Sequence, residues 1–132
     1  ETELTAEQYG ERVRSITERF PFLVMRDDAG ETAGFAYLSD FNPRSGYRYT
    51  ADLSIYIAPD LRGAHLGGAL LAAIEAAARE QGITNLISII TDENEASCRF
   101  HEKNGFVKEG HLREIAVKFG RQCGVCYYRK EL

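Results

Sequence analysis

The sequence lacks the features of membrane-spanning, secreted and nucleic-acid-binding proteins. None of its apolar runs approaches the roughly 18 residues that a transmembrane helix needs, and no signal-peptide pattern opens the chain. It has no basic tract or basic helix face, and its formal net charge of −4 disfavours nucleic acid and anionic membrane as partners. Repeats, linkers and low-complexity tracts are also missing. We therefore expect the 132 residues to form one globular domain in the cytoplasm.

Cysteine is scarce, and its spacing argues against a metal or redox site. The three cysteines are Cys98, Cys123 and Cys126, an odd number that suits a reducing compartment. Cys123 and Cys126 form a C-x-x-C pair, but a structural zinc ion commonly requires a second close pair of ligands, which is absent. The pair also falls in an apparent strand, whereas a thioredoxin-like pair opens a helix. We therefore expect no metal, with metal or redox chemistry as the less favoured alternative.

The apolar residues recur with periods that predict both helices and strands. The first helix starts at the capping box Thr5-Ala6-Glu7-Gln8 and is followed by Pro21. The predicted elements are helix 5–20, strands 22–26, 32–38 and 47–58, helix 66–81, strand 86–91, helix 95–104, and strands 106–112 and 123–131. The distance between the third and fourth strands implies a parallel crossover. This order describes a mixed sheet with helices on both faces.

A glycine-rich turn joins the long strand to the second helix, in the segment Arg62-Gly63-Ala64-His65-Leu66-Gly67. Such a turn leaves backbone N–H groups unpaired at a helix N-terminus, where the macrodipole also favours negative charge. The segment has neither the Lys-Ser/Thr pair of a Walker loop nor the glycine spacing of a dinucleotide fingerprint. It is therefore a candidate pyrophosphate cradle of another kind, and the alternative is a plain turn without a ligand.

Two segments resemble the GCN5-related N-acetyltransferases (GNAT). The glycine turn fits that family's Arg/Gln-x-x-Gly-x-Gly/Ala motif, with His65 at the first glycine position. Segment 94–106 (Asn-Glu-Ala-Ser-Cys-Arg-Phe-His-Glu-Lys-Asn-Gly-Phe) is similar to the segment that lines the coenzyme's pantetheine arm and thiol in the family. Other stretches resemble the phosphinothricin and methionine sulfoximine acetyltransferase branch: 20–24, 34–37, 47–52, 55–57 and 118–121. The resemblance implies the acyl-CoA N-acyltransferase fold, an α/β (α+β) arrangement with helices on both faces of a mostly antiparallel sheet, with the family's first strand and helix missing.

By this resemblance, acetyl-CoA is the co-substrate. The strand backbone at 55–57 would supply an N–H to the developing oxyanion and pair with the pantetheine, while the glycine turn would hold the pyrophosphate. The implied coenzyme-binding residues are Ile55, Tyr56, Ile57, Arg62, Gly63, Ala64, His65, Leu66, Gly67, Gly68, Asn94, Ser97 and Lys103. Two alternatives stay open: Asn94 as a helix cap and Lys103 as a solvated surface charge.

Asp52 is the candidate general base, because a carboxylate on a central strand beside a cleft can have its pKa raised by desolvation. The branch typically carries Glu there, and the alternative is a structural ion pair with Arg48. His101 would protonate or hydrogen-bond the leaving sulfur, or else be a structural histidine. Tyr47 and Arg48, at the start of the long strand, would bind a substrate carboxylate, or else be exposed strand-end residues.

The implied function is transfer of the acetyl group of acetyl-CoA to the amino group of a small amino acid or amino-acid analogue by direct attack. Gln122 and Gly124 replace a Trp and an Asp that the branch carries near its acceptor pocket and dimer contact, so the acceptor stays open. The alternatives are an acetyltransferase acting on a peptide N-terminus or a polyamine, and a non-catalytic coenzyme A-binding module. A homodimer is implied by the relatives alone.

Overall fold

The computed structural model describes residues 19–26, 29–59 and 66–132. Nearly all of the predicted first helix and most of the predicted phosphate turn fall on residues 1–18 and 60–65, and so lie outside the described residues. The strands and helices are β1 (Phe22–Arg26), β2 (Thr32–Asp40), β3 (Thr50–Ile57), α1 (Leu66–Glu80), β4 (Asn85–Thr91), α2 (Glu95–Lys103), β5 (Val107–Lys118) and β6 (Arg121–Glu131).

The strands form one six-stranded sheet in the order β1-β2-β3-β4-β6-β5. The pair β3–β4 is parallel, and the other four neighbouring pairs are antiparallel. This confirms the predicted mixed and mostly antiparallel sheet and the predicted crossover through α1. A parallel pair needs such a long connection because the chain has to return to the same end of the sheet.

Both described helices pack on the same face of the sheet. Alternate strand residues, including Leu38, Leu53 and Leu86, point to this face and form one buried cluster with Leu71 and Ile74 of α1. Burial of each of these α1 side chains contributes about 1.5 to 3 kcal/mol. The second helix joins the same face, because a buried hydrogen bond links α2 to the β4 residue that follows Leu86 by two positions. The other predicted helix, 5–20, lies almost entirely outside the described residues.

The helices end where the sequence predicts, since Gly82 and Gly105 follow them with φ of 81° and 92°. Glycine adopts this left-handed conformation without the steric cost that a Cβ adds. Among the described helices, none has the length and apolar character needed to cross a membrane.

The main differences from the predicted strand boundaries lie at the start of β3 and in the β5–β6 hairpin. β3 begins at Thr50 and not at residue 47, because a short 3-10 helix, Ser45–Tyr47, precedes it. β5 and β6 extend to within two residues of each other and are joined by a tight turn at Phe119 and Gly120, both with positive φ (51° and 75°). A two-residue hairpin turn of type I′ requires positive φ at both residues, but Asn-Gly and Asp-Gly are its usual signal, and Phe-Gly is not. The prediction therefore stopped β5 at residue 112 and started β6 at residue 123.

Candidate active site

The sheet opens between β3 and β4. In the described strands, these two pair only from Thr50–Asn85 to Asp52–Ile87. Beyond that point β3 stays with β2 as far as Ile57, and β4 stays with β6 as far as Thr91. β3 therefore stays paired with β2, and β4 stays paired with β6, while β3 and β4 separate from each other. Their separation exposes an edge of backbone in the middle of the sheet.

The backbone of Ile55 faces this opening. Ala58 N–H donates to Ala33 O of β2 at 2.8 Å, and backbone groups alternate in direction along a strand whose register is unbroken. Tyr56 therefore directs its backbone groups towards β2, whereas the neighbouring Ile55 directs its N–H and C=O away from β2, towards the diverging β4. A strand edge of this kind can pair with the amides of an extended ligand.

The opening continues into a cleft of about 480 Å³ between β3, the first turn of α1 and one side of α2 along its whole length. The lining residues are Ile55, Tyr56, Ile57, Gly67, Gly68, Asn94, Ala96, Ser97, Phe100, Lys103 and Asn104. The structure thus brings together eight of the coenzyme-binding residues predicted from the sequence. Of the others, Leu66 is the first described residue of α1, and Arg62, Gly63, Ala64 and His65 lie outside the described residues.

Glycine lets the two helices approach each other beside the cleft. A Cβ added to Gly67 would lie 2.8 Å from the Phe100 ring of α2, closer than real side chains approach, whereas one added to Gly68 would meet no atom within 4 Å. Gly67 is therefore required by helix packing, in addition to any role in phosphate binding. Backbone N–H groups in the first turn of a helix have no partner within the helix and attract anions.

Asn94 caps α2, one of the two roles left open for it. Its Oδ1 accepts a hydrogen bond from Ser97 N–H at 3.1 Å, and both residues also line the cleft. Because the capping bond uses the carbonyl end of the side chain, the amide nitrogen of Asn94 is the group that can serve a ligand. Lys103, the last residue of the same helix, adds a positive charge to the cleft wall.

Asp52 lies at the last β3–β4 pair before the strands separate, on the sheet face opposite the helices. Burial raises the pKa of this half-buried carboxyl to about 6. Among the buried side-chain oxygen and nitrogen atoms of the described residues, Asp52 Oδ1 is the one without a hydrogen-bond partner. The alternative ion pair is not formed, because Arg48 Nη1 donates to Ser45 O at 2.8 Å and its guanidinium lies over the Tyr49 ring. A desolvated, unpartnered carboxylate is typical of a general base.

His101 has both ring nitrogens bonded inside the protein. Its Nδ1 donates to Ser97 O at 2.8 Å, and its Nε2 accepts from Ser88 Oγ at 2.9 Å, which fixes the neutral tautomer because a carbonyl oxygen can only accept. Burial lowers the pKa of His101, and its ring packs edge-on to Phe106. The ring is 2% exposed and is not part of the cleft wall. This geometry favours the structural alternative for His101 over the general-acid role.

Tyr47 and Arg48 lie in the turn before β3 and not on the strand itself, which corrects their predicted placement. Tyr47 N–H bonds to Arg44 O at 3.0 Å to form the 3-10 helix, and the Tyr47 ring is 45% exposed beside Phe41. The exposed ring remains available to a ligand. The Arg48 guanidinium is held against its own turn, as described above, so it would have to leave Ser45 to bind a carboxylate.

Three cleft residues were missed by the sequence analysis: Ala96, Phe100 and Asn104 of α2 and its C-cap. They recur every four residues, so helical periodicity alone could have placed them on the face that carries Lys103. Cys123 and Cys126 both lie in β6, as predicted, and are free thiols. In the part of the chain that the structure describes, no group of three or more His, Cys, Asp or Glu is arranged to hold a metal ion.

Comparison with known proteins adds a family and several relatives. The acetyltransferase (GNAT) family model matches residues 2–106. The L-methionine sulfoximine/L-methionine sulfone acetyltransferase of Pseudomonas aeruginosa is 36% identical over 113 residues, which is 86% of this chain and 66% of the relative. The phosphinothricin N-acetyltransferase of Alcaligenes faecalis is 40% identical over 102 residues, 76% of this chain and 51% of the relative. This chain therefore spans between half and two thirds of the length of these curated relatives.

A solved structure with a similar fold is also a phosphinothricin acetyltransferase. A GNAT superfamily phosphinothricin acetyltransferase from Sinorhizobium meliloti, solved in complex with acetyl-CoA, superimposes with a TM-score of 0.92. It is 29% identical in sequence, and the alignment covers 99% of this chain and 71% of that one.

Proposed function

Because the chain belongs to the acetyltransferase (GNAT) family, we propose that it transfers the acetyl group of acetyl-CoA to the primary amine of a small amino acid or amino-acid analogue. The observation that carries the proposal is the unpartnered Asp52 Oδ1 at the mouth of the strand opening. An amine acceptor offers the N–H donor that this oxygen lacks. The names of the relatives support the same acceptor class, since they refer to methionine sulfoximine, methionine sulfone and phosphinothricin.

Asp52 acts as the base in this proposal. With a pKa of about 6 it is ionised at neutral pH and is still a stronger base than an exposed aspartate. It receives a proton from the acceptor's ammonium group, directly or through a water, and so produces the neutral amine that attacks the thioester carbon. The amide C–N bond forms as the C–S bond breaks, and the coenzyme leaves as a thiolate that takes up the proton lost by the attacking nitrogen. Its side chain is one methylene shorter than glutamate, which makes a bridging water the simpler route.

The remaining parts hold the coenzyme and stabilise charge. Bound acetyl-CoA supplies the thioester, and the N–H of Ile55 is positioned to stabilise the negative charge that develops on its carbonyl oxygen. The edge of β3 pairs with the pantetheine amides, and the first turn of α1 holds the pyrophosphate together with Arg62 and residues 63–65. Asn94, Ser97 and Lys103 bind the coenzyme from the α2 side of the cleft.

For the acceptor we propose Tyr47 as a contact, because its exposed ring stands just before the strand that carries Asp52. Arg48 binds the acceptor's carboxylate once its hydrogen bond to Ser45 O is exchanged for the ligand. His101 acts indirectly, since its bonds to Ser97 and Ser88 fix α2 against β4 beside the cleft.

We also propose that the chain works in the cytoplasm as one acetyltransferase domain that forms a homodimer. Support for the dimer comes from the outermost strand, β5, where large apolar side chains are exposed. Ile115 is 59% exposed, and Phe119, in the adjoining turn, is 76% exposed. Exposed apolar side chains on an edge strand favour pairing with another chain. Light scattering after gel filtration measures the oligomeric state directly.

A thiol-release assay tests the proposed function. Purified protein and acetyl-CoA are incubated with a panel of amino acids, methionine sulfoximine, phosphinothricin, a polyamine and a short peptide, and free coenzyme A is measured. We expect release with one or more of the small amino-acid acceptors. Preference for the peptide or the polyamine would replace the acceptor class but keep the chemistry. Coenzyme binding by calorimetry without release for any acceptor would leave a non-catalytic binding module.

A further inference from the structure

The turn between β4 and α2 is tied to the β5–β6 hairpin by two adjacent carboxylates. Asp92 Oδ2 accepts from His111 Nε2 of β5 at 2.9 Å and from Gly124 N–H of β6 at 3.1 Å. Glu93 Oε2, the next carboxylate along, accepts from Arg121 Nη2 of β6 at 2.9 Å. Two neighbouring residues of one turn are thus bonded to both strands of a hairpin that is distant in sequence.

The fit around Asp92 is close. Its backbone N–H also donates to Gly124 O at 3.0 Å, so main chain and side chain both bond to the same residue of β6. A Cβ added to Gly124 would lie 2.6 Å from Asp92 Oδ2 and would also collide with Leu112 O. The bond from His111 is the main reason that the pKa of Asp92 is lowered, which keeps the carboxylate ionised and the contact charge-assisted.

This contact lies two residues before a wall of the cleft. Asn94 follows Asp92 through Glu93, and its N–H returns to Thr91 O at 3.0 Å, which leaves the turn little freedom. Asn94 in turn fixes the first turn of α2 by accepting from Ser97 N–H. The position of these two cleft residues therefore depends on where the hairpin holds the turn.

The rest of α2 is anchored separately. His101 bonds to Ser88 of β4, and Glu102 accepts a hydrogen bond from Tyr128 OH of β6 at 2.7 Å. These bonds hold the C-terminal half of the helix against the sheet. Loss of the Asp92 contact therefore frees the first turn of α2 and the residues that precede it, while the helix as a whole stays docked.

We propose that Asp92 and His111 are positioning residues for the coenzyme site, acting through the turn on Asn94 and Ser97. The inference rests on the proposed function, because it takes acetyl-CoA as the occupant of the cleft. Neither residue lines the cleft, so their effect on coenzyme affinity is indirect and is transmitted through the turn. The hairpin, which has no part in the cleft wall, thereby acquires a role in binding.

Substitution of His111 tests the proposal by separating coenzyme affinity from turnover. For His111→Ala we expect the Kd and KM for acetyl-CoA to rise about tenfold, as loss of one charge-assisted hydrogen bond allows, with kcat within about twofold. His111→Gln keeps an N–H donor near the position of Nε2 and restores most of the affinity. Arg121→Gln removes the second, more exposed bond and raises Kd about threefold.

The matched control is Glu109→Gln. It removes another ion pair within the same hairpin, Glu109 with Arg129 at 2.7 Å, without touching the turn. The control should leave the Kd for acetyl-CoA within about twofold. Equal loss of affinity in Glu109→Gln and His111→Ala would show a general effect of hairpin stability and overturn the proposal.

A double-mutant cycle in the Kd for acetyl-CoA tests the route through Asn94. If His111 acts by placing Asn94, the loss in His111→Ala/Asn94→Ala is smaller than the product of the two single losses. Multiplicative losses would overturn the route. Wild-type protein that fails to bind acetyl-CoA in calorimetry would overturn the proposed function as well, whereas normal wild-type binding with unchanged binding by His111→Ala would overturn this inference alone.

Discussion

β4 has two neighbours in the sheet, and the two sides of this strand differ in how completely they are bonded. Towards β3, pairing stops at Asp52–Ile87 and leaves a carboxylate oxygen without a partner. Towards β6, pairing runs the whole length of the strand, and the buried polar side chains beside it are bonded, as Ser88 is to His101. The incomplete side provides space and free polar atoms for a ligand, and the complete side provides the rigidity that keeps them in place.

Two aspartates show the same contrast. Asp52 sits where the sheet opens, and burial without a partner raises its pKa to about 6. Asp92 sits where the sheet is closed, and its bonds to His111 and Gly124 lower its pKa. The same side chain thus has a raised pKa in one place and a lowered pKa in the other, and its neighbours decide which.

The largest effect is expected from the open side. Asp52→Asn removes the base but keeps the size of the side chain, so acetyl transfer should fall about 10²- to 10³-fold. Binding of acetyl-CoA, measured by calorimetry, should change less than about twofold, because Asp52 does not line the cleft. Unchanged turnover in this variant would remove Asp52 from the mechanism.

On the β6 side of β4, where pairing is complete, substitution of His101 should have its largest effect on stability. His101→Ala leaves a cavity beside Phe106 and takes a partner from the buried Ser88, which together cost about 3 kcal/mol of unfolding free energy. Chemical denaturation followed by circular dichroism measures this loss. A His101→Gln variant that keeps its Tm but loses kcat would contradict the structural role and restore the general-acid hypothesis.

The helices and strands could be predicted from the sequence better than the candidate site where β3 and β4 separate. Periodicity located every described strand and both described α-helices, and glycines marked the helix ends, because burial on one face and left-handed caps both leave local signals. The two motifs together predicted the family, which the comparisons confirmed. The hairpin turn at Phe119 was missed, because positive φ at a phenylalanine is imposed by strand pairing and not by the residue itself.

The environments of single side chains could not be predicted. Asp52 and Asp92 look alike in the sequence, and their difference arises from His111 and Gly124, 19 and 32 positions away, which the fold brings to Asp92 and not to Asp52. The same holds for Arg48, whose hydrogen bond within its own turn depends on a 3-10 helix that no periodic pattern indicates. Pairwise contacts between distant segments are fixed by tertiary packing, which local propensity does not contain.

Beside the cleft, replacing two adjacent glycines of α1 by alanine should change the unfolding free energy in opposite directions. Gly67→Ala places a methyl group against the Phe100 ring and should lower the unfolding free energy by about 1 kcal/mol. Gly68→Ala meets no neighbour within 4 Å and should raise it by about 0.5 to 1 kcal/mol through helix propensity. Thermal unfolding of both variants provides the comparison. Equal effects would show that α1 and α2 do not depend on close contact at Gly67.

The smallest effect expected is a pH dependence of stability with opposite sign for the two aspartates. The raised pKa of Asp52 means that the folded chain holds this proton more strongly between about pH 4 and 6 than the unfolded chain does. Wild-type stability from this group therefore falls as pH rises through that window. The unfolding free energy of Asp52→Asn should exceed that of the wild type by about 1 kcal/mol at pH 7, after allowance for solvent screening. Near pH 4 the two should differ little.

Asp92→Asn should behave in the reverse way. The lowered pKa of Asp92 means that its contribution is present at pH 7 and is lost as pH falls below the ordinary value of 3.8. The variant should therefore be less stable than the wild type at neutral pH, and the deficit should shrink as the pH falls below about 4. Urea unfolding of the three proteins from pH 3 to 8 measures both curves. Parallel curves for the two variants would mean that the opened and closed sides of β4 hold their carboxylates in the same way.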